Sequence, residues 1–275
     1  MIERALFVSD IDGTAVAPDK SLTAAAIAAA GELRAAGVPF TVVSSRPPRG
    51  MASVVGGLGV TLPFAAFNGG TIVGADRKPI EAHRLPASAA ARALAILAER
   101  QIDAFVFADD QWLLRDASGP HQDRERRTIG FEPTVVTSFE GVIGRIDKLT
   151  AVSDDPAALD ACEAELRAAL SAEVNIERSQ TYYVDLTHPD ANKGAAVRRL
   201  AALTGADLAS TVVIGDMTND LPMFRVAGFA IAMGQAPPAV KAAAGAVTAS
   251  NADDGFAKAV REIVLPRLAG APAPQ

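Results

Sequence analysis

Asp10-Ile11-Asp12-Gly13-Thr14 sets two carboxylates two residues apart, directly after the apolar run Ala5 to Ser9. Such a pair can divide labour: one carboxylate attacks as a nucleophile, the other moves protons, and Gly13 permits a tight turn between them. By itself the motif is weak, because Asp-x-Asp-Gly also occurs in calcium loops and surface turns. An EF-hand is excluded, since Gly13 is misplaced for that loop and Ser21 stands where its bidentate glutamate belongs.

Three more polar clusters lie at strand ends or helix starts. Ser44-Ser45-Arg46 follows Pro39 to Val43, Lys193 opens a helical stretch, and Gly215-Asp216-Met217-Thr218-Asn219-Asp220 follows Thr211 to Ile214. Ligands of open parallel sheets bind outside the carboxyl ends of the strands, so these clusters should converge. Asp216 is the expected direct ligand of a magnesium ion shared with Asp10. Asn219 and Asp220, three and four residues on, would share a helical face with Asp216 if a helix begins there, and would orient waters or Lys193. A helix N-terminus decorated with acids is the plain alternative.

Electrostatics explains why a carboxylate nucleophile needs such company. Two unit charges ~4 Å apart repel by roughly 4 kcal/mol at an effective dielectric near 20, and a phosphate dianion meets a carboxylate with about twice that. Magnesium bridging Asp10 and a phosphate oxygen, with the Lys193 ammonium opposite, would offset the repulsion. Ser44 adds a hydroxyl donor. Ser45, Arg46 and backbone N–H groups would complete the cradle.

The elements that must position these groups follow from periodicity. Strand, loop and helix recur from Ala5, with Thr23 as a helix cap, then from Pro39 through a helix spanning Met51 and Leu58, then at Phe64 to Phe67. This alternation predicts an α/β fold with a doubly wound, mostly parallel sheet. From about Arg84 to Asp185 the pattern changes: a helix near Ala87 to Arg100, strands near Ile102 to Phe107 and Ile146 to Ser153, and a helix near Pro156 to Leu170. The first pattern resumes with Asn192 capping a helix through Leu203, and with apolar strands at Thr211 to Ile214, Phe229 to Met233 and Ala246 to Thr248. The expectation is a split core, residues 1–84 and 186–275, with an inserted α+β unit at 85–185.

The 275 residues include 49% hydrophobic and 21% charged side chains, enough for a sizeable core and against a disordered chain. A formal net charge of −6 leaves no basic field for nucleic acid or an anionic membrane. No stretch reaches the ~18 consecutive apolar residues of a membrane span. No leader precedes the first apolar run, and a single cysteine, Cys162, rules out an intrachain disulfide; both point to the cytoplasm. Leu159, Cys162, Leu166 and Leu170 share a helical face, so Cys162 reads as a core residue, and Trp112 as packing. Gly270 to Gln275 should fray.

Taken together, the four clusters resemble the haloacid dehalogenase (HAD) superfamily of aspartate-nucleophile phosphatases, and within it the Cof-type branch with a large α/β cap. Asp10 and Asp12 stand in its first motif, Ser44 in its Ser/Thr motif, Lys193 in the third, and Asp216, Asn219 and Asp220 in its Gly-Asp-x-x-Asn-Asp motif. Met233-Gly234 and Val247 through Gly255 extend the likeness. The resemblance implies that Asp10 attacks phosphorus and that Asp12 protonates the leaving alcohol and later activates water. It also implies that magnesium takes Asp10, the Asp12 carbonyl and Asp216, and that the substrate is a sugar phosphate or other small phosphorylated metabolite. Ser45 departs from the pattern, replacing a glycine.

Asn68-Gly69 matches a substrate-loop position of the branch, or is a plain hairpin turn. Arg124, Arg126 and Arg127 would meet an anionic leaving group or form a solvated face. A phosphomutase or other phosphotransferase, a receiver-like switch and a catalytically silent binder stay open as alternatives, although a receiver lacks an insertion of this length. The oligomeric state is not readable from these residues.

Overall fold

The computed structural model describes residues 4–268, so Gly270 to Gln275 lie outside the described residues. Strands β1 (Leu6–Asp10), β2 (Phe40–Val43), β3 (Phe64–Ala66), β4 (Thr71–Val73) and β5 (Pro79–Ala82) come first. Then follow β6 (Asp103–Ala108), β7 (Gln111–Leu114), β8 (Thr134–Val135), β9 (Ile146–Val152), β10 (Asn175–Gln180) and β11 (Tyr183–Thr187). The chain closes with β12 (Thr211–Gly215), β13 (Phe229–Ala232) and β14 (Ala246–Val247).

One sheet runs β14-β13-β12-β1-β2-β3-β4-β5. Its strands from β14 to β3 pair in parallel, and only β4 and β5 turn antiparallel. The mostly parallel α/β expectation therefore holds. The second sheet runs β10-β11-β9-β6-β7-β8 and is antiparallel except where β7 meets β8. Strand β11 runs to Thr187, so the expected boundary between residues 185 and 186 cuts through it. Residues 83–86 lead from the first sheet into the second, and residues 188–192 lead back.

Local signals account for the helices. In α1 (Ala24–Ala35) Thr23 Oγ1 accepts from Ala26 N at 3.1 Å. After α2 (Pro48–Gly57), α3 (Ala87–Glu99) and α4 (Gln122–Ile129), α5 (Pro156–Leu170) starts on Asp155, which accepts from the amides of Ala157 and Ala158, with proline in the first turn. In α6 (Lys193–Thr204) Asn192 Oδ1 accepts from Ala195 N at 2.9 Å, and Gly205 ends the helix at φ 72°.

Strand β1 is buried along its whole length because it lies mid-sheet with both faces covered. Leu6, Phe7 and Val8 are fully buried, each contributing about 1.5–3 kcal/mol. That anchorage holds Asp10 at the strand's carboxyl end. In the second sheet Leu159, Cys162, Leu166 and Leu170 of α5 bury against Val106, Leu149 and Val184. Burial pushes the Cys162 thiol up to about 11, away from reactivity. The opposite face of that sheet faces the first unit, where Phe67 and Phe107 meet with ring centroids 5.8 Å apart, and Trp112 is fully buried.

Candidate active site

Asp10, Asp12, Arg46, Lys193 and Asp216 come together at the carboxyl edge of the parallel sheet, around a cavity of about 80 Å³. Asp10 ends β1. The chain then turns sharply, with Asp12 extended and Gly13 at φ 80°. A side chain at Gly13 would collide with the Asp216 carboxylate, so the glycine serves close approach as well as the turn.

Lys193 Nζ donates to Asp10 Oδ1 and to Asp220 Oδ1, each at 2.6 Å. The lysine is almost wholly buried. Burial would strip its proton, but Asp10 and Asp220 outweigh that and hold the ammonium well above the ordinary lysine range. Asp220 Oδ2 accepts from the amides of Asp216 and Met217 at 2.8 and 2.9 Å. Both Asp220 oxygens are thus committed.

Here the structure corrects an expectation. Helix α7 (Leu221–Val226) begins only after a short turn at Thr218–Asp220, so Asp216, Asn219 and Asp220 do not share a helical face. Asp220 instead folds back onto its own turn and braces Lys193.

Asp216 Oδ1 accepts from Thr14 Oγ1, and its Oδ2 from Gln235 Nε2, both at 3.4 Å. Burial first, then the Asp220 charge, pushes its carboxyl up to about 7. Burial and the Asp220 and Asp216 charges likewise raise Asp10, against the pull of Lys193. One ligand oxygen from each of Asp10, Asp216 and Asp220 lies within 4.8 Å of the others. Three carboxylates against one ammonium leave an excess of negative charge that a hard divalent cation would neutralise. The donor set fits such an ion, with Asp10 Oδ2 unengaged among the described residues and Asp216 held only by two long hydrogen bonds.

Asp12 sits in a different field. Arg46 Nε and Nη2 donate to its two oxygens at 2.7 and 2.8 Å, and Lys20 Nζ donates at 2.8 Å. Burial favours the neutral acid, but Arg46 and then Lys20 overcome it and hold Asp12 well below the usual carboxylate range.

The remaining expected residues divide. Ser45 and Asn219 line the cavity, and Asn219 Oδ1 has no partner within the described residues. Ser44 is fully buried and its Oγ accepts from Arg46 N at 3.1 Å, shaping the loop beside the cavity. Asn68 and Gly69, expected at the substrate, do not line it. They form the hairpin turn between β3 and β4, with Asn68 at φ 56° and Gly69 pressed against the start of α6. Asn68 Oδ1 accepts from Asn219 Nδ2 at 3.4 Å, so it supports the Asp216 loop.

The second unit closes the cavity with Arg124 and Glu125 of α4, Lys148 of β9, Tyr182 of the turn between β10 and β11, and Tyr183 and Asp185 of β11. Lys148 reaches across to Ser45 O at 3.4 Å and lies 3.6 Å from Asp185. Of the three arginines singled out, Arg124 lines the cavity over the Tyr182 ring, whereas Arg126 is tied to Asp123 and Glu132 at the surface. Lys20, Glu125, Lys148 and Gln235 were not signalled by sequence. No local spacing rule marks a residue that reaches the site from another element.

Residues 7–260 match the family described as haloacid dehalogenase-like hydrolase, and the chain belongs to it. The expected HAD membership therefore holds. A Haemophilus influenzae protein provisionally named a phosphatase is 27% identical over 95% of this chain and 98% of its own. The Escherichia coli pyridoxal phosphate phosphatase YbhA is 26% identical over 90% of this chain and 94% of its own. Among solved structures, a haloacid dehalogenase-like hydrolase from Bacteroides thetaiotaomicron superposes with a TM-score of 0.86 at 23% identity, covering 94% of this chain and 99% of that one. Among the described residues, no helix is long and apolar enough to cross a membrane.

Proposed function

We propose that the chain is a magnesium-dependent phosphatase that hydrolyses a small phosphorylated metabolite, such as a sugar phosphate, through an aspartyl-phosphate on Asp10. With the boundary moved to the end of β11, residues 4–84 and 188–268 would form the catalytic core and 85–187 the cap. The observation that carries this reading is the split of roles between two neighbouring carboxylates. Asp10 is held at one oxygen by Lys193, leaving Oδ2 without a hydrogen-bond partner among the described residues, while Asp12 is gripped by Arg46 and Lys20. The similarity to a protein named a pyridoxal phosphate phosphatase supports it.

In the first half-reaction Asp10 Oδ2 attacks phosphorus, the bond from phosphorus to the leaving oxygen breaks, and Asp12 passes a proton to that oxygen. In the second, Asp12 takes a proton from water as the water oxygen bonds to phosphorus, and the bond to Asp10 breaks to release phosphate. A phosphate dianion competes for Lys20 and offsets the positive charge of the fixed Arg46. As Lys20 turns towards it, Asp12 regains the proton affinity that the first step needs. Asp10, the Asp12 carbonyl and Asp216 would hold magnesium, which supplies positive charge to the transferring group. Lys193 adds fixed positive charge from the opposite side.

The cavity is small: at ~10–15 Å³ for each water it holds a handful of them. A metabolite larger than phosphate therefore requires the two units to part and close again. The deciding experiment is a magnesium-supported screen of phosphate monoesters with wild type and Asp10→Asn. Phosphate release lost in the variant supports the reading. Sugar isomerisation without phosphate release points to a mutase, and binding without either to a silent binder.

A further inference from the structure

We propose that His83, His188 and Asp190 form a second metal site, separate from the acidic cluster, which takes a zinc-class divalent cation across the two chain connections between the sheets. His83 lies on the outgoing connection, residues 83–86, and His188 and Asp190 lie on the return, residues 188–192. One donor atom from each of the three lies within 4.8 Å of the others.

The ring geometry suits a shared ion. Zinc binds imidazole nitrogen at ~2.0–2.1 Å, which places each ring centre roughly 3.2 Å from the metal and two tetrahedrally arranged rings roughly 5 Å apart. The His83 and His188 centroids are 5.1 Å apart, with planes inclined at 35°. His188 Nδ1 lies 3.7 Å from Asp190 Oδ2, a span that nitrogen and oxygen ligands of one zinc reach at roughly 2.1 Å each with a moderately opened angle.

The tautomer is also set. Asp190 N donates to His188 Nδ1 at 3.1 Å, so in the neutral ring the proton resides on Nε2 and Nδ1 is the unprotonated nitrogen, its lone pair held by that amide. A cation would take that lone pair in place of the amide. Two imidazoles and one carboxylate favour zinc over magnesium, whereas the all-oxygen set at Asp10 and Asp216 favours magnesium. Three protein ligands leave a fourth position for water. Because the ligands straddle both connections, the bound ion ties them together and restrains movement of one sheet against the other.

The test uses the full chain in excess magnesium, titrated with Zn²⁺ by calorimetry and with Co²⁺ by visible absorption. One zinc equivalent binds beyond magnesium, cobalt gives the intense band of a tetrahedral site, and hydrogen exchange slows in residues 83–86 and 188–192. His83→Gln, His188→Gln and Asp190→Asn each weaken zinc by about 10-fold or more. Wild type that binds no zinc under magnesium, or cobalt that shows only a weak octahedral band, overturns the site whether or not the variants fold. So does a His83→Gln/His188→Gln double variant that binds zinc as wild type does.

Discussion

Arg46 grips Asp12 with two guanidinium nitrogens, Nε to Oδ2 at 2.7 Å and Nη2 to Oδ1 at 2.8 Å. The arginine is buried and its Nη1 also donates to Gly50 O at 3.3 Å, so the fork is fixed by α2 as well as by its partner. Removing it frees the Asp12 carboxylate, the proposed acid-base group, to rotate. We expect Arg46→Ala to lower kcat/KM by about 10²–10³-fold, and Arg46→Lys to recover little, since an ammonium cannot present a planar fork. Full activity in Arg46→Lys would show that charge alone suffices.

Gly13 faces the Asp216 carboxylate in a left-handed conformation. Gly13→Ala should displace Asp216 and raise the magnesium concentration needed for half-maximal activity by about 10-fold or more. An unchanged magnesium requirement in the folded variant would separate Asp216 from metal binding.

Asp220 is fully buried and offers its charge to Lys193 and its second oxygen to two amides. Asp220→Ala leaves those donors unpaired, and unfolding in urea should show a loss of about 3–5 kcal/mol. A loss below about 1 kcal/mol would mean that water replaces the carboxylate.

Magnesium should stabilise the fold. At a free concentration near 100 times its dissociation constant it adds about 2.7 kcal/mol, worth roughly 5–10 °C in Tm for a chain of this size. The effect should vanish in an Asp10→Asn/Asp216→Asn variant. A shift that survives both substitutions would place the stabilising ion elsewhere.

Asp147 titrates away from the Asp10, Asp216 and Asp220 carboxylates. Burial pushes its carboxyl up to about 6, and Arg84, 3.5 Å away, only partly opposes this. A carboxyl raised on folding stabilises the native state through its proton, fully at low pH, and loses that contribution as pH rises from about 4 to about 6. Asp147→Asn should therefore gain on wild type by about 1–3 kcal/mol between pH 4 and pH 8 in denaturant unfolding. A stability difference, variant minus wild type, that stays constant or falls as pH rises would contradict the shift.

Much of the core was legible because its cues are local. Thr23 and Asn192 cap the helices they precede, α5 spans Pro156–Leu170 as its apolar face implies, and β1 is an apolar run that ends in Asp10 as β12 is one that Asp216 follows. Strand β5, largely exposed and opening on Pro79, carries no such alternation, and β7 and α4 are equally quiet. Asn68-Gly69 shows the limit of a motif: two roles matched it, and its seat in the hairpin turn against α6 and Asn219 is visible only in three dimensions.

Residue types and spacing alone determined the alternating core, its family likeness and the convergence of Asp10, Asp12 and Asp216, because in a parallel sheet every strand delivers its C-terminal residues to one edge. Tertiary structure decided what those residues touch. That Lys193 bridges Asp10 and Asp220, that Arg46 and Lys20 keep Asp12 charged, and that Glu125 and Lys148 close the cavity all depend on distances between elements far apart in the chain. The same holds for His83 and His188, 105 positions apart, whose rings meet only because the chain leaves and re-enters the core at one place. Ionisation follows burial and neighbours, and neither is written in local spacing.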